Sequence, residues 1–232
     1  MAGVGPRPGV GLSVMERIPL IDSPFEDLWE QHTIFLSRTF RDDGGFLAGG
    51  SGPGMGGGGP FPLIIRATLM DSALIEQGIA TFAQLADLTP AETKAYRERY
   101  RKERDLGTHL YIWAEMYTRY HESYLNLDRW IFFVEDASGQ QYEPVRVVEV
   151  ETRQTDRFVR DRGLYEPRTM QIPGLRREPF PGKVVEFYFP RTSYYGKKVL
   201  SRQNHTLIFG AVNREDLDER AEGSWDLTRI RR

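Results

Sequence analysis

The sequence predicts a mainly β protein, an antiparallel β-sandwich preceded by a short helical cluster. From Thr108 onward the apolar residues leave helical spacing and alternate. Seven short runs rich in aromatic and β-branched residues follow within 108–232, with no helical segment between them. Chains of that pattern bury one face of each strand by packing two sheets together.

The elements follow in order. Residues 1–21 form a leader whose Gly and Pro content, densest over 1–12, predicts disorder. "DSPFEDLWEQHTIFLSRTF" predicts a helix over 22–40, within a docking segment 22–43. Ser23 is its cap, Pro24 its first residue, and Phe25, Leu28, Trp29, His32, Phe35 and Leu36 its apolar face. Residues 44–62 hold ten glycines in nineteen positions. "GPGMGG" (52–57) satisfies G-x-G-x-x-G in letters, but neither a preceding strand nor a following helix gives it a phosphate to cradle. The expectation is a Gly-rich linker.

Residues 63–107 predict a helical cluster packed on the sandwich, entered through "FPLIIRATLM", which reads as a short strand or an extended lead-in. Asp71 or Ser72 caps its first helix, which Gly78 is placed to end. A second short helix starts at Thr81. A third starts at Thr89-Pro90, where Thr89 and Glu92 have the spacing of a capping box, and ends at Gly107.

The strands are expected at 108–118, 129–135, 141–151, 183–189, 197–200, 205–212 and 224–230. Asp136-Ala137-Ser138-Gly139 joins the second and third as a hairpin, with Gly139 supplying a positive φ. Trp130 opens a strand as a core tryptophan does in immunoglobulin-like domains, so the sandwich is expected to be immunoglobulin-like. The cysteine pair of true immunoglobulin domains is missing. Residues 153–182 read as an irregular insert: seven arginines face four carboxylates, and four prolines oppose strand continuation.

Composition narrows the chemistry. The formal charge of −2 gives no overall attraction to nucleic acid or to an anionic membrane. Of 31 basic residues only five are lysine, a bias that a GC-rich genome explains. With no cysteine, disulfides, thiolate nucleophiles and cysteine-held metals are excluded. No signal-peptide core or membrane-spanning run is expected. That predicts a cytoplasmic protein if Met1 is the start, and an envelope-associated one if an export signal is missing. Met15 is an alternative start.

No constellation points to catalysis, a metal or a cofactor. His32, His109, His121 and His205 lack metal-ligand spacing, and "HESYL" has Leu125 where H-E-x-x-H needs its second histidine. Ser51 lacks the glycine that a nucleophile elbow needs at position 53. "DASGQQYEP" lacks calcium-loop spacing, and Glu149 and Glu151 are expected on one strand face. "NHT" (204–206) matches a three-letter glycosylation sequon.

Two features carry the functional expectation. The first is "LIEQGIATFAQLADLTPAET" (74–93). Its Gly78-Ile79, Thr81, Leu85-Ala86, Leu88-Thr89 and Glu92 resemble the second half of a helix-hairpin-helix module, although "RATLMD" stands where the glycine hairpin belongs. That resemblance implies contact with a DNA backbone. The second is the insert, where Arg157, Phe158, Arg160, Arg162, Arg176 and Arg177 combine planar cations with an aromatic ring. The function expected is a non-catalytic binding or structural module, bacterial and envelope-associated, that takes another protein or an acidic surface through these residues. The alternative is nucleic-acid binding by the helical cluster and the insert together.

Overall fold

The computed structural model describes residues 24–38, 62–118, 120–155, 180–200 and 205–230. The expected leader, the linker up to residue 61 and residues 156–179 of the insert lie outside them. The elements in chain order are α1 (Pro24–Gln31), β1 (Thr33–Phe35), β2 (Ser37–Arg38), β3 (Leu63–Leu69), α2 (Ser72–Leu85), α3 (Pro90–Glu103), β4 (His109–Thr118), β5 (Trp130–Glu135), β6 (Gln141–Tyr142), β7 (Arg146–Thr155), β8 (Phe180–Pro190), β9 (Thr206–Asn213), β10 (Arg220–Asp226) and α4 (Leu227–Ile230).

The strands form two five-stranded antiparallel sheets, as the alternation predicts. Sheet A has the order β1-β3-β4-β8-β7 and sheet B the order β2-β10-β9-β5-β6. Their inner faces enclose one apolar core, in which Ile65, Ile112, Phe187, Trp130, Phe132, Phe209 and Trp225 are buried. A second core lies on the outer face of sheet A. There Phe25, Trp29, Leu74, Ile79, Phe82, Tyr96 and Tyr100 from the helices cover Tyr111, Trp113, Val184 and Tyr188. The molecule is therefore three layers deep: helices, sheet A, sheet B.

Several expectations need correction. The helix expected over 22–40 ends at Gln31, because Thr33–Phe35 pair with β3 and Ser37–Arg38 pair with β10. One strand crosses between the sheets at Leu36 and closes that edge of the sandwich. Phe35 and Leu36 sit at helical spacing by coincidence; the buried Leu36 belongs to the sandwich core. Of the two readings of "FPLIIRATLM", the strand holds: Leu63–Leu69 form β3 and pair with β4 along their whole length.

The cluster has two helices where three are expected. Gly78 lies buried in the middle of α2, which runs on to Leu85. A mid-helix glycine costs roughly 1 kcal/mol, and the buried face formed by Leu74, Ile75, Ile79 and Phe82 outweighs it. The Asp71 cap and the Thr89/Glu92 capping box form as the sequence predicts. The tight turn after β5 also forms, with Gly139 at φ 81°.

The expected strand 197–200 is instead part of a turn held by an isolated bridge between Thr192 and Lys198. The expected strand 224–230 starts at Arg220 and stops at Asp226, whose carboxylate accepts from the Thr228 N–H and hydroxyl and opens α4. The insert is shorter than 153–182, since β7 pairs through Thr155 and β8 begins at Phe180. Pro181 is tolerated there because the pairing of β8 with β4 extends only to Gly182. Register slips between Glu149 and Glu151, which stand opposite Val185 and Val184. A bulge therefore interrupts the regular strand between these two positions.

Candidate functional site

The features that topology gathers lie at one end of the sandwich, where β3, β8, β5 and β10 finish and β4, β6, β7 and β9 begin. The chain crosses from β8 to β9 at this end, through residues 191–205.

Beneath this end, between α3 and sheet A, sits a buried carboxylate. Tyr111 and Tyr188 are direct partners on β4 and β8, and their rings stack at 5.2 Å. Glu186 is two residues before Tyr188, so it faces the same way. The Tyr111 hydroxyl donates to its Oε1 at 2.9 Å and the Tyr188 hydroxyl to its Oε2 at 2.6 Å. Arg104, the C-cap of α3, donates from Nη2 to Oε1 at 2.8 Å, and its guanidinium lies 4.2 Å from the Tyr100 ring. Arg146 of β7 lies over the Tyr188 ring at 3.7 Å. Burial, helped by the Glu186 charge, pushes the Tyr188 phenol up, so it stays a hydrogen-bond donor.

Three donors engage the Glu186 oxygens, and the one from Arg104 ties the end of α3 to the sheet. The other buried carboxylate on this face, Glu115, likewise meets Arg66 at 3.3 Å. These pairs are structural ties rather than a free acid beside a free base.

A second tie lies next to the first. Asp71 caps α2 by accepting from the Leu74 N–H at 2.9 Å, and its Oδ1 also lies 3.2 Å from Nε2 of the buried His32. That approach is at ion-pair distance but not in hydrogen-bond alignment. Burial alone would raise the Asp71 carboxyl; the contact with His32 and the N-terminal N–H groups of α2 outweigh it and hold the carboxyl below its ordinary range. Arg191 is drawn down by burial, and the Asp71 charge opposes that shift.

The third component is exposed. After β8 the chain makes a tight turn, Ser193–Gly196. The Gly196 N–H donates to the Ser193 carbonyl at 2.9 Å and the Ser193 N–H to the Lys197 carbonyl at 2.7 Å. Tyr194 and Tyr195 occupy its tip, 97% and 84% exposed, with their rings edge to face at 5.5 Å. The neighbouring turn is built round Asp136, which accepts from Ser138, Gln140 and the Tyr142 hydroxyl. Burial, reinforced by Asp136, pushes the Tyr142 phenol up to about 12.

No protein-family model, curated protein or solved structure matches this chain.

The arginines and Phe158 expected to bind a partner (Arg157, Arg160, Arg162, Arg176 and Arg177) all lie outside the described residues. His109 opens β4 within 3.3 Å of Asp105, and the exposed His121 accepts from the Ser123 N–H. His205 is exposed at the start of β9, and the sequon's Asn204 lies outside the described residues. Among the described residues no group of three or more potential metal ligands gathers, and no helix is long and apolar enough to cross a membrane.

Sequence reasoning missed the Glu186 hub and the tyrosine tip. Signals existed for both: a lone Glu inside the apolar run "KVVEFYF", and Tyr-Tyr-Gly followed by two lysines.

Proposed function

We propose that this chain is a non-catalytic binding or assembly module, in which an immunoglobulin-like sandwich serves as a rigid stand and a protein partner docks along β7. The observation that carries this reading is the outer side of that strand. β7 is ten residues long, it ends sheet A, and among the described residues β8 is its only neighbour. Val145 just before it, and Val147 and Val148 within it, are exposed. A long edge with apolar side chains is a ready template for a partner strand.

The same strand leads directly into the arginine-rich connection. Arg157, Phe158, Arg160 and Arg162 follow this strand in sequence, and Arg176 and Arg177 come shortly before β8. Nucleic acid is the second reading, and the helical cluster gives it little free charge. Arg97 and Arg101 both pair with Glu76, at 2.8 and 2.7 Å, and Arg99 lies 3.9 Å from Glu103.

The test is site-specific photo-crosslinking in the native host, with the reactive side chain placed at Val147 or, as a control, at the exposed Glu98 on α3. A discrete protein adduct from position 147 and none from 98 supports the β7 reading. No adduct at 147, or the same adducts from both, overturns it.

A further inference from the structure

Tyr194 and Tyr195 take part in none of the ties described above, and the tip needs a reason of its own. Two large aromatic side chains stand in the centre of a turn where a small polar pair would cost less. The turn is stiff. Besides the two Ser193 bonds, the Lys197 N–H donates to the Ser193 hydroxyl at 3.1 Å, and Gly196 adopts φ 76°. Its stem is fixed to the sheet: the Val199 N–H donates to the Arg191 carbonyl at 2.9 Å, and Val199 itself is buried. Arg191 in turn donates from its N–H to the Thr108 carbonyl and from Nε to the His109 carbonyl. The rings are thus held out by a rigid support, and the ordering cost is met before any contact is made.

The charge next to them is selective. The chain has 26 arginines and five lysines, yet Lys197 and Lys198 follow the tip consecutively. Both are exposed, and among the described residues neither has an ion-pair partner. A lysine places a hydrated charge on a flexible apolar stem and can keep that charge among headgroups while its stem lies in the boundary region. Tyrosine has the matching character, with an apolar ring and a polar end.

The edge-to-face arrangement gives no parallel platform on which successive bases could stack. The two rings are almost fully exposed, which suits entry into something soft or concave. A tyrosine pair with a lysine pair directly behind it fits the interface of an anionic bilayer.

We propose that residues 193–198 form a membrane-contact tip, with Tyr194 and Tyr195 entering the headgroup region of an anionic phospholipid bilayer and Lys197 and Lys198 pairing with its phosphates. This site is separate from the β7 edge and does not depend on it.

The experiment is flotation of the full chain with vesicles of phosphatidylcholine alone or of phosphatidylcholine mixed with phosphatidylglycerol. The wild type should float with the mixed vesicles and stay behind with the neutral ones, and added salt should release it. Tyr194→Ser/Tyr195→Ser should weaken partitioning about tenfold, and Lys197→Glu/Lys198→Glu by roughly thirtyfold or more. All four side chains are exposed, so melting temperatures should not move.

No flotation of the wild type, equal flotation with neutral vesicles, or undiminished binding by the tyrosine variant would each overturn the proposal. A photo-crosslinked protein adduct at Tyr195 persisting in membrane-free extract would assign the tip to a protein pocket and overturn it equally.

Discussion

Nε2 of His32 lies 3.2 Å from Oδ1 of Asp71, a contact that ties the end of α1 to the start of α2. Nδ1 of the same ring donates to the Leu28 carbonyl of α1 at 2.7 Å. The His32 carbonyl accepts from the Trp225 indole of β10 at 2.7 Å. Asp71 is the cap of α2. The end of α1, the start of α2 and the last strand of sheet B therefore meet at one buried histidine.

The Asp71 carboxyl, held below its ordinary value of 3.8, makes stability depend on pH in one direction. Over that range the unfolded chain binds the proton more readily, so folding is favoured as pH rises. The contribution is complete above the unfolded value and lost as pH falls through the folded one. Asp71→Asn keeps the cap and removes the charge. It should cost roughly 1–2 kcal/mol at neutral pH, and its deficit should close as the pH of a urea titration is taken below 3.8. A deficit independent of pH would place the effect elsewhere.

The Glu186 hub should respond unevenly to substitution. Glu186→Ala leaves Arg104 and two tyrosine hydroxyls buried beneath α3, and should destabilise by roughly 3–5 kcal/mol. Tyr188→Phe removes one donor and should cost about 1 kcal/mol. The double variant Arg104→Met/Glu186→Leu should sit closer to wild type than Glu186→Ala alone, because both charges of the buried pair are removed together. Urea midpoints of the four proteins check this order, and a double variant worse than the single one would refute it.

Legibility in the sequence followed locality. The Thr89/Glu92 box and the Asp136–Gly139 turn depend on residues within a few positions, and both were read correctly. Strands β4, β5, β8 and β9 are visible because each is a run dense in aromatic and β-branched residues. β1 and β2 were not, since Thr33–Arg38 continue the apolar spacing of α1 and only distant partners decide their state. Glu186 was passed over for a related reason. A strand's outer face reads as solvent until helices from elsewhere in the chain are known to cover it. The arginines expected to meet a partner stand out by composition alone, which marks a segment without placing its side chains.

Two glycines should fail for different reasons. Gly196 has open space around it but sits at φ 76°, so Gly196→Ala should cost about 1 kcal/mol through backbone strain alone. Gly223 has ordinary backbone angles, yet a Cβ there would lie 2.8 Å from the Phe35 carbonyl oxygen and 3.0 Å from Ile34 Cδ1. That is the corner where the chain crosses between the sheets. Gly223→Ala should cost about 2–3 kcal/mol. It should also speed hydrogen exchange at the Leu36 N–H, which donates to the Ile65 carbonyl at 3.0 Å. Equal melting temperatures for the two variants would show that the corner yields freely.

The arginines of the β7–β8 connection supply the last prediction. Arg157→Glu, Arg160→Glu and Arg162→Glu together convert part of a segment with surplus positive charge into an acidic one. If an acidic partner docks on β7, long-range attraction brings it to the edge and the valines hold it there. The triple variant should then lower the yield of the position-147 adduct about tenfold, chiefly by slowing association. Added salt should erase most of the difference between variant and wild type. Melting temperatures of variant and wild type, measured alongside, should agree. An unchanged adduct yield at low salt would remove the arginines from the interface and leave the exposed valines to account for docking.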